Sequence, residues 1–310
     1  MSEAAISVRG LRKRYGDREV LRGLDLEVRH GEIFGFLGPN GAGKTTTIEI
    51  LEGYRSRDGG DVEVLGRDPA QPTREWRDRI GLVLQQCELN PLLTVSETLK
   101  LFSAFYRAPL AVGEVIELAG LQGREGSRLA TLSGGQRRRA DVAVALIGDP
   151  DLIFLDEPTT GFDPAARRDA WRMIESLKQI GKTVLLTTHY MEEAQNLSDR
   201  VAIIRAGEIV AEGKPEELGG TQTMRTRINF LAPAGVEPDV IAAQAGAPAQ
   251  QRGRTLELET DDAQQTLLAL LTWAQQHEVT LEELEVHRPT LEDVFLDLVD
   301  PVASEGASNE

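Results

Sequence analysis

The chain has 310 residues, 41% of them hydrophobic and 27% charged, enough to bury a sizeable core in one large domain plus a smaller one. A net charge of -16 opposes a nucleic-acid backbone as the main partner, because such binding draws on Lys and Arg. The single cysteine, Cys87, excludes an internal disulfide framework, and no His/Cys cluster has metal-ligand spacing.

At the amino end, MSEAAISVRG carries neither a basic start nor an apolar core, and no run along the chain approaches the roughly 18 apolar residues of a membrane-spanning helix. A soluble, unprocessed chain in a reducing cytoplasm is expected. The first elements read as strands joined by polar turns, AISVRGL, VLRGLDLEV and EIFGFLG, with Val, Ile and Phe alternating against charge. A glycine-rich loop and the apolar helix pattern TTTIEILEGY follow, then a hairpin-like GGDVEVLGRD and the strand IGLVLQQ. Between about Pro91 and Gly148, apolar residues recur three or four apart in VSETLKLFSAFY, VGEVIELAGL and QRRRADVAVALIG, which predicts a helical insertion. Strand patterns resume at DLIFLDEP, TVLLTTH and RVAIIRAG, separated by the helices AARRDAWRMIESLKQIG and MEEAQNL, as in a parallel sheet wrapped by helices.

Much of the acidic excess lies beyond Gly219 and Gly220, where a compositional boundary is expected. There TRINFLA, VIAAQAG, TLELET, DAQQTLLALLTWAQQ, LEELEVH and TLEDVFLDLV alternate strand and helix as a small α+β unit. Leu291, Val294, Phe295 and Leu298 share one face of the last helix and read as packing on their own domain. The expected division is a large α/β domain at 1–219 with a helical subdomain at about 88–148, a C-terminal α+β accessory domain at 220–301, and a disordered tail at 302–310.

Gly38-Pro39-Asn40-Gly41-Ala42-Gly43-Lys44-Thr45 satisfies the phosphate-loop pattern G-x-x-x-x-G-K-S/T, after a strand and before a helix, and Thr46 continues it. The glycines let backbone N–H groups close around phosphates, Lys44 reaches the β- and γ-phosphates of a nucleotide, and the Thr45 hydroxyl ligates Mg²⁺. The alternative is an ordinary glycine turn. Asp156 and Glu157 close the apolar strand DLIFLDEP, so both carboxylates emerge at the carboxyl edge of a sheet, where ligands bind in open α/β folds. Asp156 suits Mg²⁺ coordination, and Glu157 suits the general base that orients or deprotonates an attacking water. Leu132-Ser133-Gly134-Gly135-Gln136 precedes a helix and forms a second helix-terminus anion site, or a helix cap and nothing more.

With these motifs in order, the chain resembles the ATP-binding cassette family through most of residues 5–218. The resemblance implies an α/β P-loop NTPase fold with a helical insertion, followed here by the small α+β domain. It implies ATP and Mg²⁺ as cofactors and a head-to-tail dimer of two copies, each Ser133–Gln136 signature capping the ATP held by the partner's phosphate loop. Tyr15 resembles the family's adenine platform. Gln85 resembles the glutamine that senses Mg²⁺ and the attacking water, although Gln86 follows it and Leu84 stands where proline is usual. Asp163, in Gly161-Phe162-Asp163, resembles the loop crossing the dimer interface, and His189, ending TVLLTTH, resembles the switch histidine at the γ-phosphate. His30, His277 and His287 find no such match, and Arg137, Arg138 and Arg139 read by default as a solvated helix face.

The function so implied is an ATPase subunit energising transport through a separate membrane permease that docks around the Gln85 segment, with the chain peripheral on the inner face of the membrane. RPTLEDVFLDL, from Arg288, is similar to the C-terminal extension of bacterial drug and antibiotic exporter ATPases that pair with ABC-2 type permeases, which tilts the reading toward export. An importer ATPase using the same motor, and a soluble cassette ATPase acting on nucleic acid or ribosomes, are the alternatives, the second opposed by the acidic balance.

Overall fold

The computed structural model describes residues 4–84, 88–219, 225–233, 235–287, 290–293 and 295. Two units divide the chain, Met1–Pro215 and Glu216–Glu310. The first contains, in order, β1 (Ala4–Tyr15), β2 (Arg18–Arg29), β3 (Ile33–Leu37), α1 (Lys44–Leu51), β4 (Gly59–Val64), α2 (Arg74–Arg77) and β5 (Ile80–Val83). It continues with α3 (Val95–Ser103), α4 (Val112–Leu118), α5 (Gly134–Leu146), β6 (Leu152–Asp156), α6 (Pro164–Gln179), β7 (Thr183–Thr188), α7 (Met191–Leu197), β8 (Arg200–Arg205), β9 (Glu208–Gly213) and, across the division, α8 (Pro215–Gly219).

Six strands form one sheet in the order β5-β6-β7-β3-β8-β9, parallel except for the antiparallel pair β8 and β9. Every residue of β3 and β7 is buried, which is why β3 reads as an unbroken apolar run and β7 has no polar alternation: a parallel sheet is covered on both faces. Alternate side chains enter two cores. Phe34, Phe36, Leu152, Phe154 and Leu185 pack on one face with Leu11, Leu24 and Val62 of the three-stranded antiparallel sheet β2-β1-β4. Ile33, Ile153, Leu155, Val184 and Leu186 pack on the other with Leu99, Val115, Val142 and Ile174 of the helices. Thus the strand period of two sorts one sheet's residues between a β layer and an α layer.

The helical insertion follows the expected spacing. A capping box starts α3, with Thr94 Oγ1 accepting from the Glu97 N–H at 3.2 Å while Glu97 Oε2 accepts from the Thr94 N–H at 2.9 Å. The GGDVEVLGRD segment departs from the hairpin expectation. Its strand β4 pairs with β1, Val62 opposite Val8 and Val64 opposite Ile6, and only a single bridge from Val64 to Arg67 turns back on itself. The edge of β1 offers a full ladder of partners, which a short local return does not.

The second unit contains β10 (Thr226–Leu231), α9 (Pro238–Ala245), β11 (Ala249–Arg252), β12 (Thr255–Thr260), α10 (Ala263–Gln276) and β13 (Glu285–His287). Its sheet order is β11-β12-β10-β13, antiparallel throughout, the split βαβ arrangement of ferredoxin-like domains. Ile228, Phe230, Leu256, Leu258, Ile241, Leu270 and Trp273 form its core. The polar strand β11, AQQR, lacks apolar alternation and escapes the sequence reading. LEELEVH is strand only at its last three residues, Leu284 being half-buried against the core instead. Of the last helix pattern, Leu291 is buried, while Val294 and Leu298 lie outside the described residues.

Candidate functional site

The chain leaves the buried strand β3 at Leu37, beside Ile203 of the neighbouring strand β8. A Cβ at Gly38 would meet the Ile204 carbonyl oxygen at 2.4 Å, and Gly43 adopts φ 116 as the residue capping α1, so both positions exclude larger side chains. The first turn of α1 leaves its N–H groups without intrahelical partners, as an anion cradle requires. Gly207, in the turn between β8 and β9, donates its N–H to the Ala42 carbonyl at 3.0 Å and anchors the loop. Lys44 is buried, and its Nζ donates to the carbonyls of Gly38 at 2.6 Å and Pro39 at 3.1 Å. Burial pulls the Lys44 pKa down, while Glu157 and Asp156 pull it back up. A desolvated cation, glycines held against the sheet and a free helix start fit a polyphosphate. Thr45 is exposed and Thr46 half-buried at this rim.

The acidic pair is held from the neighbouring strand. Asp156 stands opposite Thr187 in the parallel register of β6 and β7, and the Thr187 hydroxyl donates to Asp156 Oδ1. The Glu157 N–H donates to both the Thr187 carbonyl, at 3.1 Å, and its hydroxyl, at 3.2 Å. Glu157 has φ 45, a left-handed conformation that costs a non-glycine residue about 1–3 kcal/mol and persists only where the surroundings enforce it. Its Oε2 accepts from the Thr160 hydroxyl at 3.2 Å, and its Oε1 lies 3.3 Å from His189 Nδ1. His189 in turn packs on the Tyr190 ring, centroids 4.1 Å apart, and the Arg167 guanidinium lies 4.3 Å from the centre of that ring. Lys44, Asp156, Glu157 and His189 are therefore brought together at one sheet edge.

The remaining expected residues occupy other places. Ser133 caps α5 in a second capping box, its Oγ accepting from the Gln136 N–H at 3.3 Å while Gln136 Oε1 accepts from the Ser133 N–H at 3.1 Å. Gly134 is exposed and Gly135 half-exposed beside this turn. Asp163 caps α6, its Oδ1 accepting from the Ala165 and Ala166 N–H groups at 2.9 Å each. Tyr15 closes β1 and is 41% exposed, the Arg55 guanidinium 5.3 Å from its ring centre and Lys13 Nζ 5.5 Å away. Glu49 of α1 holds Arg55 at 2.5 Å. Gln85 lies outside the described residues, as do Gln86 and Cys87.

Two residues were missed by sequence reasoning. Thr187 is a polar residue inside an apolar strand, and that position was the available signal. Arg138 is a correction to the solvated reading of the arginine run: it is 8% exposed and donates to backbone carbonyls, while Arg137 is exposed as expected. Three and four residues after Arg138 come the buried Asp141 and Val142, so helical spacing alone puts it on the inward face.

A glycine loop between the central buried strand and a helix, with a carboxylate pair ending the next strand but one, defines a P-loop nucleoside triphosphatase. Residues 21–160 match the family described as ABC transporter, and residues 226–290 match the ABC transporter domain-containing protein-like C-terminal domain. The chain is 39% identical over 306 residues to the daunorubicin resistance ATP-binding protein DrrA3 of Streptomyces coeruleorubidus, covering 96% of each. It is 40% identical to the Nod factor export ATP-binding protein I of Ralstonia nicotianae, covering 96% of this chain and 94% of that one. Among solved structures, a dimeric ATP-binding cassette in a post-hydrolysis state with ADP and Pi aligns with a TM-score of 0.60 and 27% identity, over 67% of this chain and 98% of that one. A cassette in its ADP conformation gives 0.62 and 25%, over 69% and 92%. The chain belongs to the ABC transporter family, as an ATP-binding subunit that hydrolyses ATP.

Proposed function

We propose that this chain is the motor of an exporter, in which two copies close head-to-tail on two ATP molecules and pass the motion to a separate permease. The carrying observation is the convergence of Lys44, Asp156, Glu157 and His189, with His189 Nδ1 3.3 Å from Glu157 Oε1. In this reading the backbone and side chains of residues 38–46 hold the phosphates and Tyr15 stacks the adenine. Glu157 takes the proton of the attacking water, His189 faces the γ-phosphate, and Gln85 orients the water. Thr45 and Asp156, joined by Gln85, offer the hard oxygen donors that Mg²⁺ takes. Such an ion supplies neutralisation of the charge that builds on the phosphate oxygens.

Ser133, Gly134, Gly135 and Gln136 are assigned to the ATP of the second copy, with Asp163 crossing between copies. Among the described residues, no hydrogen bond or ion pair joins the 133–136 turn to residues 38–46 of its own chain, which supports that assignment. Export is supported by the names of the relatives that match along nearly the whole chain. A separate permease fits the finding that no described helix is long and apolar enough to cross a membrane. Leu82, Leu84 and Leu92, flanking the Gln85 segment, are exposed and offer an apolar surface for that partner, which would hold the motor at the inner face of the membrane.

Glu157→Gln tests the reading. Turnover falls by about 10²–10⁴, ATP binding is retained, and the variant elutes as a dimer with ATP and as a monomer without it. A variant that hydrolyses ATP near the wild-type rate, or stays monomeric with ATP, overturns it.

A further inference from the structure

α5 starts from the Ser133 cap, and Arg138 stands on it about 7.5 Å further along the helix axis. The Arg138 guanidinium is buried and, among the described residues, reaches three backbone carbonyls outside its own helix. Nη1 donates to Leu84 at 2.5 Å, Nη2 to Asp156 at 2.9 Å and Nε to Pro158 at 3.2 Å. Asp141, one turn on, faces it with Oδ2 at 3.8 Å from Nη1.

These acceptors are not scattered. Asp156 and Pro158 are the two neighbours of Glu157, and Leu84 directly precedes Gln85. The Glu157 backbone is thus clamped on one side by Thr187, through its own N–H, and on the other by Arg138, through the carbonyls before and after it. A strained φ of 45 at Glu157 needs such enforcement. The guanidinium fork is planar and rigid, so its donors keep a fixed mutual geometry, and a buried carbonyl that lost its donor would go unsatisfied. A shift of α5 therefore carries the Asp156–Pro158 backbone with it.

We infer that Arg138 is a positioning residue tying the signature helix to the general base, so that seating Ser133–Gln136 on the second copy's nucleotide sets the position of this chain's own Glu157. The inference rests on the composite site proposed above. It deepens that reading by making each chain's α5 the link between the ATP it caps and the ATP it hydrolyses. Hydrolysis in the dimer is then cooperative in ATP through Arg138.

The test is steady-state ATPase activity against ATP concentration for the full chain, its Arg138→Gln variant and its Arg138→Lys variant, with ATP affinity measured separately by calorimetry. The wild type shows a Hill coefficient above 1. Arg138→Gln loses about 10- to 100-fold in kcat, since misplacing a reacting group by about 1 Å has that effect, and its Hill coefficient falls to about 1 while ATP affinity holds. Lysine restores little, because a single ammonium cannot reproduce the fork to three carbonyls. Should Arg138→Gln fail to fold, Arg138→Lys carries the test alone, with the same split expected. A Hill coefficient and kcat near wild type in either variant overturn the inference. So does a parallel fall of kcat, ATP affinity and melting temperature, which marks a purely structural role. If Glu157→Gln stays monomeric with ATP, the composite site itself fails; if it dimerises and Arg138→Gln keeps its cooperativity, only this inference fails.

Discussion

Glu52, the residue capping the C-terminal end of α1, carries a charge problem of its own. Burial, followed by the proximity of Asp156 and Glu49, pushes its carboxyl from the ordinary 4.5 up to about 8. At neutral pH the folded chain holds a proton there that the unfolded chain, titrating near 4.5, has released. The folded state binds the extra proton, so the contribution of Glu52 to stability falls as pH rises from about 4.5 to about 8. Denaturant unfolding at a series of pH values should show this decline, and Glu52→Gln should flatten it. An unchanged slope in the variant would assign the decline to other groups. That Glu52 feels Asp156 at all was invisible in the sequence, because the two residues are brought together only by the packing of α1 on the sheet.

At the scale of elements, the β6 and β7 register does chemical service. Pairing Asp156 with Thr187 gives one hydroxyl two duties, donating to the Asp156 carboxylate and accepting from the Glu157 N–H. Thr187→Val keeps the shape and removes both interactions. The buried polar groups left behind should cost about 1–3 kcal/mol in unfolding free energy. Loss of the clamp on Glu157 should also lower kcat by about tenfold or more with little change in KM. An equal loss in ATP affinity would mean that the hydroxyl serves the nucleotide rather than the base. The sequence pattern showed strand, loop and helix here because short apolar runs and a period near four are local properties of the chain. It could not show the register, which follows from which faces of the two strands meet the two cores.

At the scale of the whole molecule, the second unit carries its own core, so damage there should leave the ATPase chemistry intact. Trp273, 6% exposed and packed with Leu270 and Phe230, is the largest side chain in that core. Trp273→Ala should destabilise this unit by about 3–5 kcal/mol and shift its calorimetric transition downward. ATP affinity of the first unit should stay within about twofold of wild type, since each unit packs a core of its own. A joint collapse of both would show that the nucleotide-binding unit depends on the second for its fold.

The sequence by itself determined the nucleotide chemistry. The glycine loop, the acidic pair and the Ser133–Gln136 cap are short segments whose proposed roles follow from backbone freedom, strand ends and helix starts, all readable within about ten residues. Tertiary structure decided which residues hold that chemistry in place. Arg138 on its three carbonyls, Thr187 beneath the acidic pair and the Gly207 amide on the phosphate loop each join residues far apart in the chain. Helical spacing separates the inward Arg138 from the outward Arg137 beside it, but only the packed sheet and helices decide which carbonyls the inward guanidinium meets.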